Sequence, residues 1–479
     1  MTEKLYECCI LGAGPAGLGT AIELVNHGIT NIVIIDRNTV LGGLARTEIF
    51  GNTRFDVGPH RFFTKNQEVN KLWHDTLGTD FRPVDRLTRI YYKNKFFNYP
   101  IKPLDVVSKL GVIESAHAMI FFLSARFTSK GEALTFEDWI TDRFGSKLYD
   151  TFFKTYTEKV WGIPGDQIGA EWAAQRIKGL DIIKVIKNAI LGGSGKKIKT
   201  LVEQFDYPAL GAGQMYEVLG EKVAGKGTDF LLGANIVSIH QESDRISSVD
   251  LRLKDGEQVR INANHLFSSI PITHFIRMLH PGESDETLNA ADALYYRDHI
   301  TVDLLVSGSS VFPDQWIYVH SPEVQMARIA NYNNFSKAMI GSPDKTALSV
   351  EYFVFQHEEM WKRPDQELID LATEELVRLQ LLTRGQIESA WVVRESESYP
   401  TYYLGFQEPY EKLQKRINRF QNLSAIGRGG MYKYNNQDHS TYSGILAARN
   451  YLKLPGSPYN LWNINIDAEY HESAERVQS

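Results

Sequence analysis

Three glycines near the start of the chain have the spacing of a phosphate-binding turn. Gly12, Gly14 and Gly17 form the pattern G-x-G-x-x-G directly after a short apolar run. In such a turn the first glycine allows a sharp bend, the second lets the backbone approach a pyrophosphate, and the third lets the helix pack against the strand. Asp36 ends the next apolar run, where a carboxylate can accept hydrogen bonds from a ribose hydroxyl. These residues predict dinucleotide binding at a helix N-terminus, whose free N–H groups favour an anion.

Two further glycine-rich segments could contact the same ligand. Gly43 and Arg46 belong to the string Leu-Gly-Gly-Leu-Ala-Arg, which could wrap the pyrophosphate or approach a flavin ring. A nicotinamide-dependent dehydrogenase has no need of this second pair of glycines, and the structural alternative is a hairpin turn with Arg46 at the surface. Gly427 and Arg428 follow an apolar strand near the other end of the chain and precede a predicted helix. They therefore predict a second cradle for a phosphate or an isoalloxazine.

This arrangement resembles the FAD-binding half of the superfamily of flavin amine oxidases, protoporphyrinogen oxidase and UDP-galactopyranose mutase. The resemblance implies an FAD that lies extended in a crevice, contacted by the arginine of the second segment. It also implies a cofactor domain assembled from both ends of the chain. The cofactor-binding residues that it implies are Gly12, Gly14, Gly17, Asp36, Gly43, Arg46, Gly427 and Arg428.

Within this superfamily, several strings are similar to UDP-galactopyranose mutase, especially its eukaryotic type. The strings are Asp56-Val57-Gly58-Pro59-His60, Asn98-Tyr99-Pro100, the segment from Phe152 to Trp161, Ala327-Arg328-Ile329, Tyr399-Pro400, Tyr434 and Asn436-Gln437-Asp438-His439-Ser440. The resemblance implies that His60 lies beside the flavin and that Arg328 and two tyrosines hold a diphosphate by charge-assisted hydrogen bonds. The implied catalytic residues are His60 and Arg328, and the implied substrate-binding residues are Tyr99, Lys154, Tyr156, Trp161, Arg328, Tyr399 and Tyr434.

Several positions depart from the mutase pattern and keep other interpretations open. Lys154 replaces an arginine, which turns a bidentate clamp into a point charge. Ile101 and Lys102 replace a Phe-Gln pair near the uracil, and Thr157 replaces an asparagine. Pro59 replaces a glycine, which fixes φ and removes a donor in the loop beside the flavin.

The sequence therefore predicts an FAD-dependent, mutase-like enzyme that acts on a sugar nucleotide or related sugar through reduced flavin. The first alternative is an FAD-dependent oxidase or desaturase of a small metabolite, and the second is a flavin-binding partner subunit without turnover.

The elements that must position these residues predict an α/β fold (α+β overall). A strand, a helix and a second strand at the N-terminus predict a Rossmann-like unit. Long amphipathic segments at 136–153 and 172–191 predict a helical insertion, and later alternating runs predict antiparallel strands. We expect a Rossmann-like FAD-binding domain with an inserted helical domain and an antiparallel-sheet substrate domain. The expected boundaries are 1–85, 206–290 and 411–479 for the discontinuous FAD-binding domain, 86–205 for the helical insertion and 291–410 for the substrate domain.

The composition narrows the class of protein. With 52 basic and 58 acidic residues the net charge is −6, which disfavours a general nucleic-acid binder and requires locally placed arginines for any anionic ligand. The two cysteines, Cys8 and Cys9, are adjacent and cannot form a disulfide framework, so we expect a cytoplasmic protein. No apolar run reaches bilayer length, and His74, His117 and His357 have no partners at metal-ligand spacing. We expect a small-molecule substrate, NAD(P)H as a candidate reductant of the flavin, no metal, no nucleic acid and no membrane insertion, while the oligomeric state stays open.

Overall fold

The N-terminal segment forms the βαβ unit that the glycine spacing predicts. In this computed structural model, which describes residues 2–99, 103–111, 117, 120–121, 133–170 and 204–464, a strand at Thr2–Leu11 leads into a helix at Pro15–Asn26 and a second strand at Ile32–Asp36. The apolar residues that end the first strand are completely buried, and the proline at the helix start needs no hydrogen-bond acceptor there. The turn between them therefore has its backbone N–H groups at the carboxyl edge of the sheet.

The strands pair in two large and two small sheets. In chain order the strands are β1 (Thr2–Leu11), β2 (Ile32–Asp36), β3 (Thr47–Phe50), β4 (Thr53–Asp56), β5 (Phe81–Asp85), β6 (Thr88–Tyr92), β7 (Lys95–Asn98), β8 (Gln204–Pro208), β9 (Asp229–Leu232), β10 (Asn235–Glu242), β11 (Arg245–Arg252), β12 (Gln258–Ser268), β13 (Leu279–His280), β14 (Tyr296–Ser307), β15 (Trp316–Val319), β16 (Arg328–Asn331), β17 (Lys345–Val354), β18 (Ile387–Pro400) and β19 (Leu423–Ala425). The small sheets pair β3 with β4 and β5 with β8.

The first large sheet has the order β13-β10-β11-β12-β1-β2-β9, and β19 pairs with β12. β1 runs parallel to β2 and β12, and β2 runs parallel to β9, whereas β11 runs antiparallel to both of its neighbours, β10 and β12. Its strands come from the beginning, the middle and the end of the chain. The carboxyl ends of β1, β2 and β19 therefore meet at one edge, which is where open α/β sheets bind their ligands.

The second large sheet has the order β18-β14-β17-β16-β15-β6-β7. It is antiparallel except where β15 runs parallel to β6. β6 and β7 lie within the segment 86–205 that the sequence assigns to a helical insertion, so the insertion begins with a hairpin instead. Lys93 and Asn94 turn this hairpin with φ values of +48° and +57°, a conformation that suits two-residue hairpin turns. The remaining domain boundaries stay predictions.

A glycine divides one of the helices that the sequence predicts. The α-helices of the described residues are Pro15–Asn26, Gln67–Leu77, Pro103–Leu110, Phe136–Phe144, Ser146–Tyr149, Thr155–Trp161, Gly213–Ala224, Ile272–Arg277, Asp285–Ala293, Glu359–Lys362, Asp365–Arg378, Gln407–Ile417, Gly427–Met431 and Gln437–Leu452. The single helix predicted at 136–153 is wrong, because Gly145 has φ +81° and ends the first segment. A π-helical stretch at Asp150–Lys154 then joins the next two. The helix predicted at 172–191 lies outside the described residues.

The three largest clusters of buried side chains among the described residues pack against the two large sheets. Side chains on the two faces of the first sheet form separate clusters, and a third cluster lies between the second sheet and the helix at Asp365–Arg378. The predicted α/β fold class is confirmed. Within the described ranges, no helix is long and apolar enough to cross a membrane, and no three His, Cys, Asp or Glu side chains are grouped as a metal site.

Candidate active site

One cavity collects most of the predicted site residues. Its volume is about 480 Å³, within the range of small-molecule sites. It lies at the carboxyl edge of the first sheet, and β18 of the second sheet lines part of its wall. The predicted residues that line it are Gly12, Gly14, Asp36, Gly43, His60, Arg328, Tyr399, Gly427, Arg428 and Tyr434. Segments far apart in sequence therefore meet around one space.

The glycine turn is shaped to bring backbone close to a ligand. A Cβ on Gly17 would lie 1.9 Å from the carbonyl oxygen of Gly12, so only glycine lets the helix approach the turn. A Cβ on Gly14 would meet Gly42 and Gly43 at ordinary contact distances of 3.7 Å, so the protein itself leaves room there. Gly14 lines the cavity, and the helix that follows directs its N-terminus towards it. This cradle fits the pyrophosphate of a dinucleotide.

Asp36 lies where a ribose-binding acid is expected. Its carboxylate accepts hydrogen bonds from the backbone N–H of Ala13 at 2.7 Å and of Asn38 at 2.8 Å. These bonds hold the carboxylate at the end of β2, beside the glycine turn. Burial raises the pKa of Asp36, which the two backbone donors partly oppose. The structure thus holds Asp36 rigidly at the cavity wall.

Arg46 does not line the cavity. Its Nε donates to Glu48 at 2.6 Å, and its Nη1 donates to the carbonyl of Gly43 at 3.1 Å and to Glu395. It is 5% exposed. Arg46 therefore ties the second glycine segment to β18, and its contact with the cofactor, which the resemblance implies, stays a prediction.

His60 is held as a neutral imidazole. Its Nε2 lies 2.9 Å from the carbonyl oxygen of Leu44 and 3.2 Å from that of Val57. Because carbonyls only accept, Nε2 carries the hydrogen and Nδ1 is the acceptor. Desolvation, reinforced by Arg428 and Arg328, lowers the pKa of His60 to about 4. His60 can therefore accept a hydrogen bond at neutral pH but is not a cation there.

The charge of Arg328 is compensated by a buried carboxylate. Nε and Nη2 of Arg328 form a bidentate pair with Glu351, with the Nε–Oε1 distance at 2.6 Å. Glu351 is completely buried on β17, opposite Arg328 in the register of β16 and β17. The pair fixes the guanidinium at the cavity wall. Arg328 brings directed donors to this end of the cavity but little net positive charge.

Arg428 differs because, within the described part of the chain, no carboxylate lies within ion-pair distance of it. It donates to the carbonyls of Asn435 and Ser398, both at 2.9 Å. Its guanidinium lies 4.8 Å from the ring centroid of Tyr399 and 5.0 Å from that of Tyr434. The two tyrosine rings are stacked with centroids 5.3 Å apart. Arg428 therefore supplies a net positive charge to the cavity wall.

The tyrosine pair is supported from behind by Trp161. The Trp161 ring lies 6.5 Å from Tyr399 and 6.0 Å from Tyr434, centroid to centroid, and the indole is buried. Burial raises the pKa of Tyr399, so its phenol stays protonated and able to donate a hydrogen bond. We refer to Arg428, Tyr399 and Tyr434 as the anion wall, because a cation beside phenol donors suits a diphosphate.

Three other predicted substrate-binding residues, Tyr99, Lys154 and Tyr156, do not themselves line the cavity. The rings of Tyr99 and Tyr156 both contact Tyr318 edge-on, at centroid distances of 5.2 and 5.3 Å. Tyr156 also stacks on His320 at 4.8 Å. Lys154 is exposed on the π-helical stretch. Tyr99 and Tyr156 therefore belong to an aromatic cluster around Tyr318.

Two acidic residues at the site belong to none of the motifs described from the sequence. Glu351 stands alone in the strand Ala-Leu-Ser-Val-Glu-Tyr-Phe-Val, and a single acid in an apolar strand predicts a buried partner. Glu397 lines the cavity from β18, in the polar string Arg-Glu-Ser-Glu-Ser. The polar pattern of that string is also typical of an edge strand exposed to solvent, so the sequence does not distinguish Glu397 from a surface residue.

The chain is similar to known proteins in its N-terminal unit and in its fold. Residues 10–76 match the family described as NAD(P)-binding Rossmann-like domain. The chain is 30% identical over 172 residues to a probable UDP-galactopyranose mutase of Klebsiella pneumoniae, a match that covers 34% of this chain and 42% of that protein. It is 24% identical over 436 residues to a coproporphyrinogen III oxidase of Mycobacterium bovis, covering 86% of this chain and 90% of that one. The matched region thus spans less than half of the mutase but most of the oxidase.

A solved structure extends the likeness over the whole fold. The crystal structure of a reduced UDP-galactopyranose mutase superposes with a TM-score of 0.82 at 22% identity, covering 97% of this chain and 98% of that chain. The Rossmann-like domain indicates a dinucleotide cofactor. The chain therefore has the fold of this mutase structure, and its N-terminal unit matches a NAD(P)-binding Rossmann-like domain.

Proposed function

We propose that the protein is an FAD-dependent enzyme that isomerises the sugar of a sugar nucleotide without net oxidation. The observation that carries this proposal is the anion wall, which places an uncompensated arginine and two tyrosines in the cavity that also contains the dinucleotide cradle. The relatives named above are a mutase and an oxidase, so an enzyme is the expectation from either. An amine substrate would be a cation at neutral pH, and Arg428 would repel it.

Different residues of the cavity would bind the cofactor and the diphosphate of the substrate. The turn at Gly12–Gly17 and Asp36 would hold the pyrophosphate and ribose of FAD, and Gly43 and Gly427 would flank its path. Reduced FAD would supply the nucleophile that exchanges with the diphosphate at the anomeric carbon of the sugar. Arg428, Tyr399 and Tyr434 would hold the departing diphosphate so that it can return.

Two further residues would shape the reacting end. Arg328, fixed by Glu351, would direct hydrogen bonds to the same anion or to the flavin edge. His60 would accept a hydrogen bond at Nδ1 from a sugar hydroxyl or the flavin, because Nε2–H is committed to two carbonyls. Such a reaction consumes no electrons after the flavin is reduced once, for which NAD(P)H is the proposed donor.

The second candidate is an FAD-dependent oxidase of a small metabolite. The match to the coproporphyrinogen III oxidase, which covers most of both chains, favours it. An oxidase needs oxidised flavin and a hydride donor as substrate, whereas the mutase-like reaction needs reduced flavin and returns it unchanged. The flavin state in which turnover occurs therefore separates the two.

The test compares the two flavin states of the purified protein. Anaerobically reduced and oxidised samples are incubated with a panel of UDP- and dTDP-sugars, and pyranose and furanose forms are separated by chromatography. We expect ring isomers to form only with the reduced protein. If a porphyrinogen or an amine bleaches the oxidised flavin and no ring isomers form, the protein is an oxidase and the proposed isomerase function is wrong. No response in either state would leave only a flavin-binding subunit.

A further inference from the structure

β18 carries a bulge of two extra residues where it reaches the cavity. In its pairing with β14, Tyr399 lies opposite Arg297 and Glu395 lies opposite His299, so four steps on β18 match two steps on β14. The extra residues bend the strand. Bulges that re-aim side chains are typical of strands next to functional sites.

The bulge holds Glu397 in a left-handed conformation, with φ +60°. This conformation is uncommon for a residue with a side chain, and it persists where surrounding bonds over-determine it. Here the buried carboxylate of Asp298 accepts a 2.6 Å hydrogen bond from the backbone N–H of Glu397. The same carboxylate accepts two bonds from Gln356, at 3.0 and 3.1 Å. These bonds fix the backbone at Glu397 and therefore the direction in which its side chain leaves the strand.

The carboxylate of Glu397 lines the cavity with an oxygen that lacks a hydrogen-bond donor. Its side chain is 9% exposed, and Oε2 is buried without a hydrogen-bond partner. Oε1 contacts His274, and Oε2 lies 3.6 Å from Nη1 of Arg37, which is an ion pair but not a hydrogen bond. A buried carboxylate oxygen without a donor is costly unless a ligand supplies one.

The position of Glu397 limits what that donor can be. Arg37 directly follows Asp36, and all three residues line the same cavity, so Glu397 lies near the end of β2 where the ribose of a dinucleotide is read. A carboxylate repels a phosphate but accepts from a hydroxyl. Of the groups that FAD offers at this end, a ribose hydroxyl fits an acceptor-only side chain.

We propose that Glu397 accepts a hydrogen bond from a hydroxyl of the adenosine ribose of FAD, so that the cofactor joins the second sheet to the first. The inference rests on the proposed FAD and adds a specificity residue to its site. Glu397 and Asp36 then approach the ribose from different sheets. Two carboxylates at the ribose also exclude a dinucleotide with a phosphate on that sugar.

The test measures FAD binding to deflavinated protein. Glu397→Ala is expected to bind FAD about 10- to 100-fold more weakly, the loss typical of a hydrogen bond to a charged group. Glu388→Ala is the matched control, because Glu388 lies on the same strand, pairs with Lys345 and does not line the cavity. The control is expected to bind FAD like the original protein.

Analogues of FAD that lack the 2′- or the 3′-hydroxyl of the adenosine ribose locate the bond. At least one of them is expected to bind the original protein more weakly, and Glu397→Ala is expected to show no such penalty for that analogue. Equal penalties in both proteins, or unchanged FAD affinity in Glu397→Ala, would overturn the proposal. If Glu397→Ala does not fold, the same comparison is made with Glu397→Gln. Failure of the original protein to bind FAD would instead overturn the proposed function.

Discussion

Gly14→Val is expected to give a folded protein without bound flavin. A Cβ at this position meets Gly42 and Gly43 only at 3.7 Å, so the backbone has room for it, but the added methyl groups occupy the space where a pyrophosphate would approach. Absorbance of the purified protein gives the flavin content, and thermal unfolding followed by circular dichroism gives the stability. We expect flavin content near zero and a melting temperature like that of the deflavinated original protein.

Two other glycines provide the controls for this prediction. Gly385→Val lies at an exposed position where a Cβ meets nothing within 4 Å, and it should retain full flavin. Gly17→Val should fail to fold correctly, because its Cβ would lie 1.9 Å from the carbonyl of Gly12. Full flavin content in Gly14→Val would contradict the assignment of this turn to the cofactor.

Arg428→Gln is expected to weaken the binding of UDP about 10- to 150-fold. The reason is that Arg428 supplies the uncompensated charge of the anion wall, and a hydrogen bond to a charged group contributes about 1.5–3 kcal/mol. Isothermal titration calorimetry of the flavin-loaded protein measures the dissociation constant. Because exposed ion pairs are screened, the measurement is made at low and at moderate salt.

Glu351→Gln is expected to change the affinity for UDP in the opposite direction to Arg428→Gln. Removing this carboxylate leaves the charge of Arg328 uncompensated, so UDP is expected to bind more tightly than to the original protein. Without an anion, the free energy of unfolding should fall by about 3–5 kcal/mol, as expected when one partner of a buried pair is removed. Added UDP should stabilise Glu351→Gln more than it stabilises the original protein. Equal UDP affinity in Arg428→Gln, Glu351→Gln and the original protein would refute the anion wall.

The parts of the site that the sequence predicted are those with local causes. The turn at Gly12–Gly17, the acid at Asp36 and the segment at Gly427 each depend on neighbours within a few residues, so their spacing is visible in the chain. The helix predicted at 136–153 failed for a local reason too, since Gly145 lies in the middle of it and adopts a conformation that a helix does not allow.

The parts that could not be predicted depend on pairing between distant strands. Arg328 and Glu351 meet because β16 and β17 are antiparallel neighbours in one register. Arg46 donates a hydrogen bond to Glu395, which lies 349 positions further along the chain. The bulge that turns Glu397 towards the cavity exists only once β14 and β18 are paired. Residue types alone do not specify such contacts.

The central claim is that the dinucleotide cradle and the anion wall belong to one cavity, so that bound flavin and a bound nucleotide diphosphate are neighbours. The most direct measurement is a titration of the flavin-loaded protein with UDP, followed by the absorbance and fluorescence of the flavin. We expect a saturable change in the flavin spectrum at the concentration where calorimetry detects binding, and we expect Arg428→Gln to shift both curves together. UDP that binds without changing the flavin spectrum, or a protein that holds flavin and never binds UDP, would contradict it.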